Sequence, residues 1–322
     1  MSSDSLQLAL GPVLFYWTRE RYADFYREAA DWPVEIVTLG ESVCSRRRDM
    51  KLDDWLGIGR ELAQSGKQVV LASQTLIESE ADLRDLRKLC DNGEFMVEAN
   101  DQSALQRLAA AGLPFIAGAA LNLYNPAAIG VMARAGMQRW QAPVEMSRDD
   151  LTRLLADCAA EELDAPCEVF AYGHLPLAWS SRCFTARRHQ KPKDRCMFVC
   201  QKYPEGLALR SQESKEVFTL NGIQTLSGAC QDLRHEIKDM AGMGVGVARL
   251  SPRAEGMAEV VAAFDAARRG ELPAADPLSL VEAEVCDGYW HGRPGMDNTR
   301  LTAGLAENHS HSSSSSAFYG AK

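Results

Sequence analysis

Residues 68–118 read QVVLASQTLIESEADLRDLRKLCDNGEFMVEANDQSALQRLAAAGLPFIAG, and this stretch decides the predicted fold. It alternates short apolar runs, which are typical of buried strands, with longer stretches whose apolar residues recur at helical spacing. The predicted elements are, in order, strand Gln68–Ser73, helix Glu80–Asp91, strand Phe95–Asn100, helix Gln102–Ala111 and strand Leu113–Gly118. Strands that alternate with helices of this length indicate βαβ units and a parallel sheet.

The same alternation extends in both directions from this stretch. Further predicted strands are Val13–Trp17, Val34–Gly40, Gln138–Met146, Cys167–Gly173, Val217–Gly228 and Gly244–Leu250. Further predicted helices are Arg19–Ala30, Leu52–Ser65, Pro126–Ala135, Arg148–Glu162, Ala229–Met240 and Ala254–Arg269. About eight repeats over roughly 250 residues predict a TIM-barrel-like (β/α)₈ fold, complete or incomplete. A doubly wound open sheet is the alternative, weakened because no GxGxxG follows the first strand.

Composition places the chain among ordinary globular proteins. It has 322 residues, 46% of them hydrophobic and 25% charged, and a formal net charge of −9. Residues 1–306 are predicted to form the barrel domain, and residues 307–322, with NHSHSSSSS, a disordered low-complexity tail. No apolar run approaches the roughly 18 residues that span a bilayer, and no signal peptide is recognised. With nine cysteines and no sign of secretion, we expect a cytoplasmic protein.

A basic, cysteine-bearing segment follows the seventh predicted strand. Ser180–Tyr203 reads SSRCFTARRHQKPKDRCMFVCQKY and carries Cys183, Cys196 and Cys200. Seven lysines and arginines accompany one acid, Asp194, although the whole chain is acidic. Nearby cations lower the pKa of a thiol and offset the negative charge of a thiolate metal site. The segment therefore predicts a zinc or iron–sulfur site, with Cys196 and Cys200 on one helical turn and a fourth ligand from elsewhere.

Cys44 is the candidate for the fourth ligand. It lies in GESVCSRRR, just past the second predicted strand, where three arginines repeat the cationic setting. From the residues alone it is equally a ligand or a core cysteine. The other cysteines lie in apolar patterns and are predicted to be core residues: Cys90, Cys158, Cys167, Cys230 and Cys286. Structural zinc usually has paired knuckles, so a single close pair favours a [4Fe–4S] cluster without excluding zinc.

Polar residues at two other strand ends are weaker candidates. Glu98 and Asn100 end the fourth predicted strand, and Tyr172 and His174 end the seventh. Such positions line the active-site face of a barrel, although a packing role for each is at least as plausible. The sequence contains no nucleophile elbow and no HExxH motif, and we recognise no paired carboxylates, so we expect no protease.

Four motifs together resemble the collagenase-like peptidase family, over a span from about Leu8 to Gly295. They are GESVCSRRR, the segment from Ser180 onward, NGIQTLSG and GYWHGRPGM. The resemblance implies that Cys44, Cys183, Cys196 and Cys200 bind a [4Fe–4S] cluster. It is greatest to members that hydroxylate the aromatic ring of a ubiquinone precursor without O₂.

The resemblance also implies partners and alternatives. It implies a heterodimer with a UbiU-like protein, and a prenylated phenol substrate that is delivered by a lipid carrier or held in a shared groove. No stable nucleic-acid partner is expected. Related members hydroxylate RNA bases, with prephenate implicated as the oxygen source, so RNA modification is one alternative. A non-catalytic, cluster-bearing subunit of the complex is the other.

Overall fold

Eight strands pair in parallel around a closed ring, because the last strand of the ring pairs with both the first and the seventh. The computed structural model describes residues 6–271 and 284–300, so the predicted tail 307–322 lies outside the described residues. The barrel strands are β1 Gln7–Leu10, β2 Ile36–Leu39, β3 Gln68–Ala72, β4 Met96–Ala99, β5 Phe115–Ala117, β6 Met137–Gln141, β7 Cys167–Trp179 and β11 Val245–Leu250. The TIM-barrel prediction is confirmed; the barrel is complete, and the open sheet is excluded.

Helices pack around the outside of this ring. They are α1 Arg19–Ala29, α2 Leu52–Gln64, α3 Glu80–Cys90, α4 Gln102–Ala110, α5 Pro126–Arg134, α6 Arg148–Ala160, α8 Ile237–Gly242 and α9 Met257–Arg269. Several begin at a side chain that accepts a hydrogen bond from the first turn, as Ser79, Asn125 and Ser147 do. No helix in the described part of the chain is long and apolar enough to cross a membrane.

The first strand differs from the prediction. Strand β1 is Gln7–Leu10, whereas Val13–Trp17 is a buried loop beyond it. Gly11 and Pro12 separate the two, and Pro12 cannot donate a backbone hydrogen bond to a sheet. The aromatic run of Val13–Trp17 instead packs over the end of the barrel, where Trp17 Nε1 donates to the Pro204 carbonyl at 2.9 Å.

An insertion of more than sixty residues separates β7 from β11. It contains α7 Phe184–Arg188, β8 Leu207–Arg210, β9 Glu216–Asn221 and β10 Gln224–Asp232. Strands β8, β9 and β10 are antiparallel and extend the sheet from β7, and β12 Val285–Cys286 pairs with β10.

The strand-like run predicted within Val217–Gly228 is present as two strands, β9 and β10. They form a hairpin with a two-residue turn at Gly222, whose φ is +64°. The predicted helix Ala229–Met240 begins as strand because residues 230–232 pair with β7, and the helix there is α8.

A buried charge network occupies the barrel interior. Arg249 on β11 forms ion pairs with Glu98 on β4 and with Glu168 on β7. The Nε of Arg139 lies 2.9 Å from the second Glu168 oxygen, although its N–H does not point at that oxygen. Burial raises the pKa of Glu168, but the two guanidinium groups outweigh it and hold that pKa below its usual value. The network therefore joins four strands of the ring.

Replacing Arg249 tests the importance of this network. Arg249→Met leaves Glu98 and Glu168 buried with fewer cationic partners, so we predict that the free energy of unfolding falls by about 3–5 kcal/mol. Urea denaturation measures it. The control is Arg60→Met, which removes an exposed ion pair with Glu94 and should leave the midpoint almost unchanged. Equal effects of the two substitutions would contradict a structural role for the network.

Candidate metal centre and barrel mouth

A cavity opens at the carboxyl ends of the barrel strands, the face where TIM barrels place their active sites. Its volume is about 480 Å³, including space open to solvent. Residues at or beyond the ends of the strands line it: Gly11, Pro12, Leu14, Ser42, Thr75, Glu98, Asn100, Ala119, Ala120, Gln141, Phe170, Pro176, Trp179, Arg249 and Ser251.

The walls of the cavity are mostly apolar, and its charged groups are paired. Glu98 and Arg249 neutralise each other, and Asn100 Nδ2 donates to Glu98 Oε1 at 3.1 Å. Phe170 and Trp179 contribute aromatic rings. A mostly apolar cavity with a few fixed polar groups suits a flat, neutral ligand with polar substituents.

Two of the four weaker candidates therefore line the cavity, and two do not. Glu98 and Asn100 are among its lining residues. Tyr172 is buried against Phe264, and its hydroxyl accepts a hydrogen bond from an arginine beyond β11. His174 Nδ1 lies 2.8 Å from the Ser227 carbonyl and faces a separate groove beside the insertion.

The four predicted ligands lie in three parts of the chain. Cys44 follows β2, and its backbone N–H donates to Glu41 Oε1 at 3.0 Å. Cys183 caps α7, and its sulfur accepts from the N–H of Ala186 at 3.4 Å. Cys196 and Cys200 flank the turn that follows α7. All nine cysteines are described, and none forms a disulfide.

The insertion crosses the mouth of the barrel to bring these cysteines near one another. Burial raises the pKa of the Cys44, Cys183 and Cys200 thiols. The charge of Cys200 raises the pKa of Cys44, and the charge of Cys183 raises the pKa of Cys200. The charges of Cys44 and Cys196 both raise the pKa of Cys183. The thiols of the three parts of the chain therefore lie within range of one another's charge.

Two hydrogen bonds hold the segment against the loop after β2. The Nη2 of Arg46 donates to the Asp194 carbonyl at 2.6 Å, and Gln201 Nε2 donates to Asp49 Oδ2 at 2.9 Å. These contacts show how a segment attached to β7 reaches residues that follow β2, although the two strands are not neighbours in the barrel.

Arg47 is the buried cation of this site. Its Nη1 donates to the Leu14 carbonyl at 2.7 Å, and its Nη2 donates to Asn221 Oδ1 at 2.6 Å. Its Nη1 also lies 3.5 Å from Glu41 Oε1, and the guanidinium lies 5.4 Å from the ring centre of Tyr16. Arg47 lies in the loop after β2, and its side chain therefore connects the loop after β1 to the insertion.

The turn between Cys196 and Cys200 has an unusual backbone. Met197 and Phe198 have φ values of 51° and 50°, the left-handed region that non-glycine residues rarely adopt. The predicted single helical turn was therefore wrong, because these residues separate two 3₁₀ turns. A right-handed residue followed by a left-handed one, as at Cys196 and Met197, forms a concavity of N–H groups that suits anions, iron–sulfur clusters among them.

Four cysteines from three parts of the chain could supply thiolate ligands. Within residues 6–271 and 284–300, no group of three or more His, Cys, Asp or Glu side chains is placed to hold one metal ion. Four thiolates on one zinc each lie about 2.3 Å from it, whereas in a [4Fe–4S] cluster each thiolate binds a different iron. Four free thiols and a buried guanidinium are chemically compatible with a cluster.

The remaining cysteines belong to the core. All five are buried, and the charges that shift the pKa of Cys90, Cys158, Cys167 and Cys286 come from residues other than the four predicted ligands. Burial raises the pKa of Cys90 to about 11 and that of Cys286 to about 12, as expected for inert core thiols.

Two functional features were missed in the sequence. Arg47 was not distinguished from Arg46 and Arg48, because only the fold shows which of the three points inward. The carboxylates Glu98 and Glu168 were not recognised as a pair, because seventy residues separate them in the chain and Arg249 brings them together.

The fold and the site define a TIM-barrel protein with a cysteine-rich insertion across the barrel mouth. The family model of peptidase family U32 matches residues 17–276, so the chain belongs to that family.

Solved structures are similar in fold alone. The U32 peptidase Mk0906 is 10% identical, with a TM-score of 0.43, and the match covers 78% of this chain and 95% of that one. Dihydropteroate synthase from Thermus thermophilus is 13% identical, with a TM-score of 0.41 and coverage of 83% and 96%. Tryptophan synthase from M. tuberculosis is 13% identical, with a TM-score of 0.42 and coverage of 84% and 88%. At these values the likenesses carry no argument about activity.

Removing the Arg47 guanidinium tests its role in holding the insertion. In Arg47→Met the Leu14 carbonyl and the Asn221 amide lose buried partners, so we predict that local opening of the insertion becomes easier by about 3 kcal/mol, or roughly a hundredfold. Trypsin cleavage of residues 180–203 in the purified protein measures it, because that segment is rich in lysine and arginine.

The matched control is Arg48→Met. Arg48 is the next residue, its side chain is 65% exposed, and its ion pair with Asp85 is 3.9 Å long. Trypsin should cleave this variant at the wild-type rate. If Arg48→Met and Arg47→Met were cleaved equally fast, the insertion would not depend on the buried guanidinium.

Proposed function

We propose that Cys44, Cys183, Cys196 and Cys200 bind a [4Fe–4S] cluster and that the chain is the UbiV-like subunit of an O₂-independent hydroxylase. The observation that carries the proposal is a pair of hydrogen bonds, from Arg46 to the Asp194 carbonyl and from Gln201 to Asp49, which hold the segment with Cys196 and Cys200 against the loop with Cys44. All four cysteines are free thiols. The motifs that resemble ubiquinone-biosynthesis members of the family supply the reaction class.

The site and the cavity are connected through shared residues. The Leu14 side chain lines the cavity, and its carbonyl accepts from Arg47. Ser42 lines the cavity two residues before Cys44, and Trp179 lines it four residues before Cys183. A ring bound in the cavity would therefore contact residues that are close neighbours of Cys44 and Cys183 in the chain.

The chain's own residues have separate roles in this proposal. The bound cluster would supply one-electron chemistry. Arg47 offsets the negative charge of the thiolates and positions Cys200. Phe170 and Trp179 exclude water and pack against the aromatic ring, while Glu98 and Asn100 offer polar groups that orient its substituents.

The substrate's prenyl tail requires a partner surface. Burial of an apolar chain is favourable by roughly 0.8 kcal/mol per CH₂, so a long tail does not remain in water. In this proposal the ring occupies the cavity and the tail lies outside it. The tail then lies in a groove shared with a UbiU-like subunit or stays with a lipid carrier.

The cofactor is tested by iron and sulfide assay of protein purified anaerobically. We predict about four iron and four sulfide per chain and a broad absorbance shoulder near roughly 400 nm. Alanine at Cys44, Cys183, Cys196 or Cys200 should abolish iron binding, because each thiolate binds one iron. Alanine at the buried Cys158 should keep the iron and change stability only modestly. Stoichiometric zinc in place of iron, or iron loss in Cys158→Ala, would contradict the proposed ligands.

The reaction is tested by gene deletion in the native host. Under anaerobic growth, we predict less ubiquinone and accumulation of an under-hydroxylated precursor. Wild-type protein and Cys158→Ala should rescue the deletion, and Cys44→Ala should not. Normal anaerobic ubiquinone together with loss of a hydroxylated base from tRNA or rRNA would replace this function with RNA modification.

A further inference from the structure

The turn between Cys196 and Cys200 exposes two apolar side chains at the surface. Met197 is 73% exposed and Phe198 is 41% exposed. Met197 has the highest exposure of the large hydrophobic residues in the described ranges, and the others are spread over the molecule. Single exposed apolar residues are ordinary, but these two are adjacent and lie between Cys196 and Cys200 in the chain.

The turn is fixed in place. The ring of Phe198 packs against that of Tyr16, with centroids 6.0 Å apart, and Tyr16 in turn contacts the Arg47 guanidinium. Cys196 and Val199 on either side are buried. The exposed apolar tip is therefore presented on a supported turn.

Several exposed cations lie in the same segment of the chain as this tip. Arg187 and Arg188 end α7, which packs against the 3₁₀ turn that holds Cys200. Five cations of the segment are exposed and have no ion pair in the described part of the chain. They are Arg182, Arg187, Arg188, Arg195 and Lys202. Lys193 differs because it pairs with Glu78. The chain as a whole carries −9, so this positive patch is a local feature.

We propose that Met197, Phe198 and these five cations, as a cationic rim, form the docking surface for a small acidic electron-carrier protein. The proposal rests on the proposed cluster, which would lie directly under the surface. An apolar centre with a charged rim is typical of protein interfaces, and redox encounters use small ones. Unpaired cations on one face steer an acidic partner to that face and raise its association rate.

The overall charge favours a small protein over a nucleic acid. A phosphate backbone extends beyond a patch of this size and would meet the acidic remainder of the chain. A compact acidic protein can contact the patch alone. In the encounter the carrier would lose one electron and a cluster held by the four cysteines would gain it. No bond forms or breaks.

Charge reversal on the rim provides the test. The probe is a reduced acidic [2Fe–2S] ferredoxin, mixed anaerobically with iron-loaded protein in a stopped-flow instrument at low salt. The double variant Arg187→Glu with Arg188→Glu should be reduced about tenfold more slowly, and the difference should shrink as salt is added. Met197→Ser should also slow reduction, and because Met197 is exposed, folding should be unaffected.

The matched control is Arg84→Glu with Arg293→Glu. These two arginines are exposed, lie outside the segment, and make the same change in net charge. This control should be reduced at the wild-type rate. All variants should contain wild-type iron, and dithionite at high salt should reduce them equally.

Three outcomes would overturn the docking surface. They are an equal slowing in the control, no slowing in the rim variant, and tight binding of a short random RNA that the rim variant alone loses. Failure of the cluster itself is distinguishable, because iron would then be missing from the wild-type protein before any kinetic measurement.

Discussion

The buried guanidinium of Arg47 is the interaction on which the candidate site depends. It hydrogen-bonds the Leu14 carbonyl and the Asn221 side chain and lies 3.5 Å from the Glu41 carboxylate, so it links the loop after β1 to the insertion. A buried cation is costly unless every neighbour compensates it, so this arrangement positions the insertion relative to the loop after β2. Four thiolates beside it would provide the compensating charge that the protein groups supply only in part.

The barrel interior also contains a buried arginine, but there carboxylates balance its charge. Arg249 is balanced there by Glu98 and Glu168, so the cavity above them is close to neutral. Two environments therefore adjoin: a neutral, aromatic cavity inside the ring and a cationic, thiol-rich site beneath the insertion. A reaction that changes the redox state of a neutral aromatic ring needs both a dry pocket and a nearby electron store. The adjacency of the two sites is the structural basis of the proposed function.

Sequence patterns predicted local structure well and long-range contacts poorly. Alternating apolar runs identified seven of the eight barrel strands, because buried parallel strands have near-continuous apolar sequences. The first strand was misplaced because Gln7–Leu10 is short and Val13–Trp17 is more strand-like in composition. Residues 229–232 were assigned to a helix because only pairing with β7 makes them a strand. The cationic cysteine segment was visible in the sequence, but the inward direction of Arg47 and the pairing of Glu98 with Arg249 are products of the fold.

The central claim is that four thiolates enclose a cluster where the insertion meets the loop after β2. The most direct measurement is diffraction from crystals of anaerobically purified protein at wavelengths on both sides of the iron absorption edge. The account predicts an iron signal enclosed by the sulfur atoms of Cys44, Cys183, Cys196 and Cys200. A zinc signal in its place, a disulfide between any two of these cysteines, or an iron signal elsewhere in the molecule would contradict it.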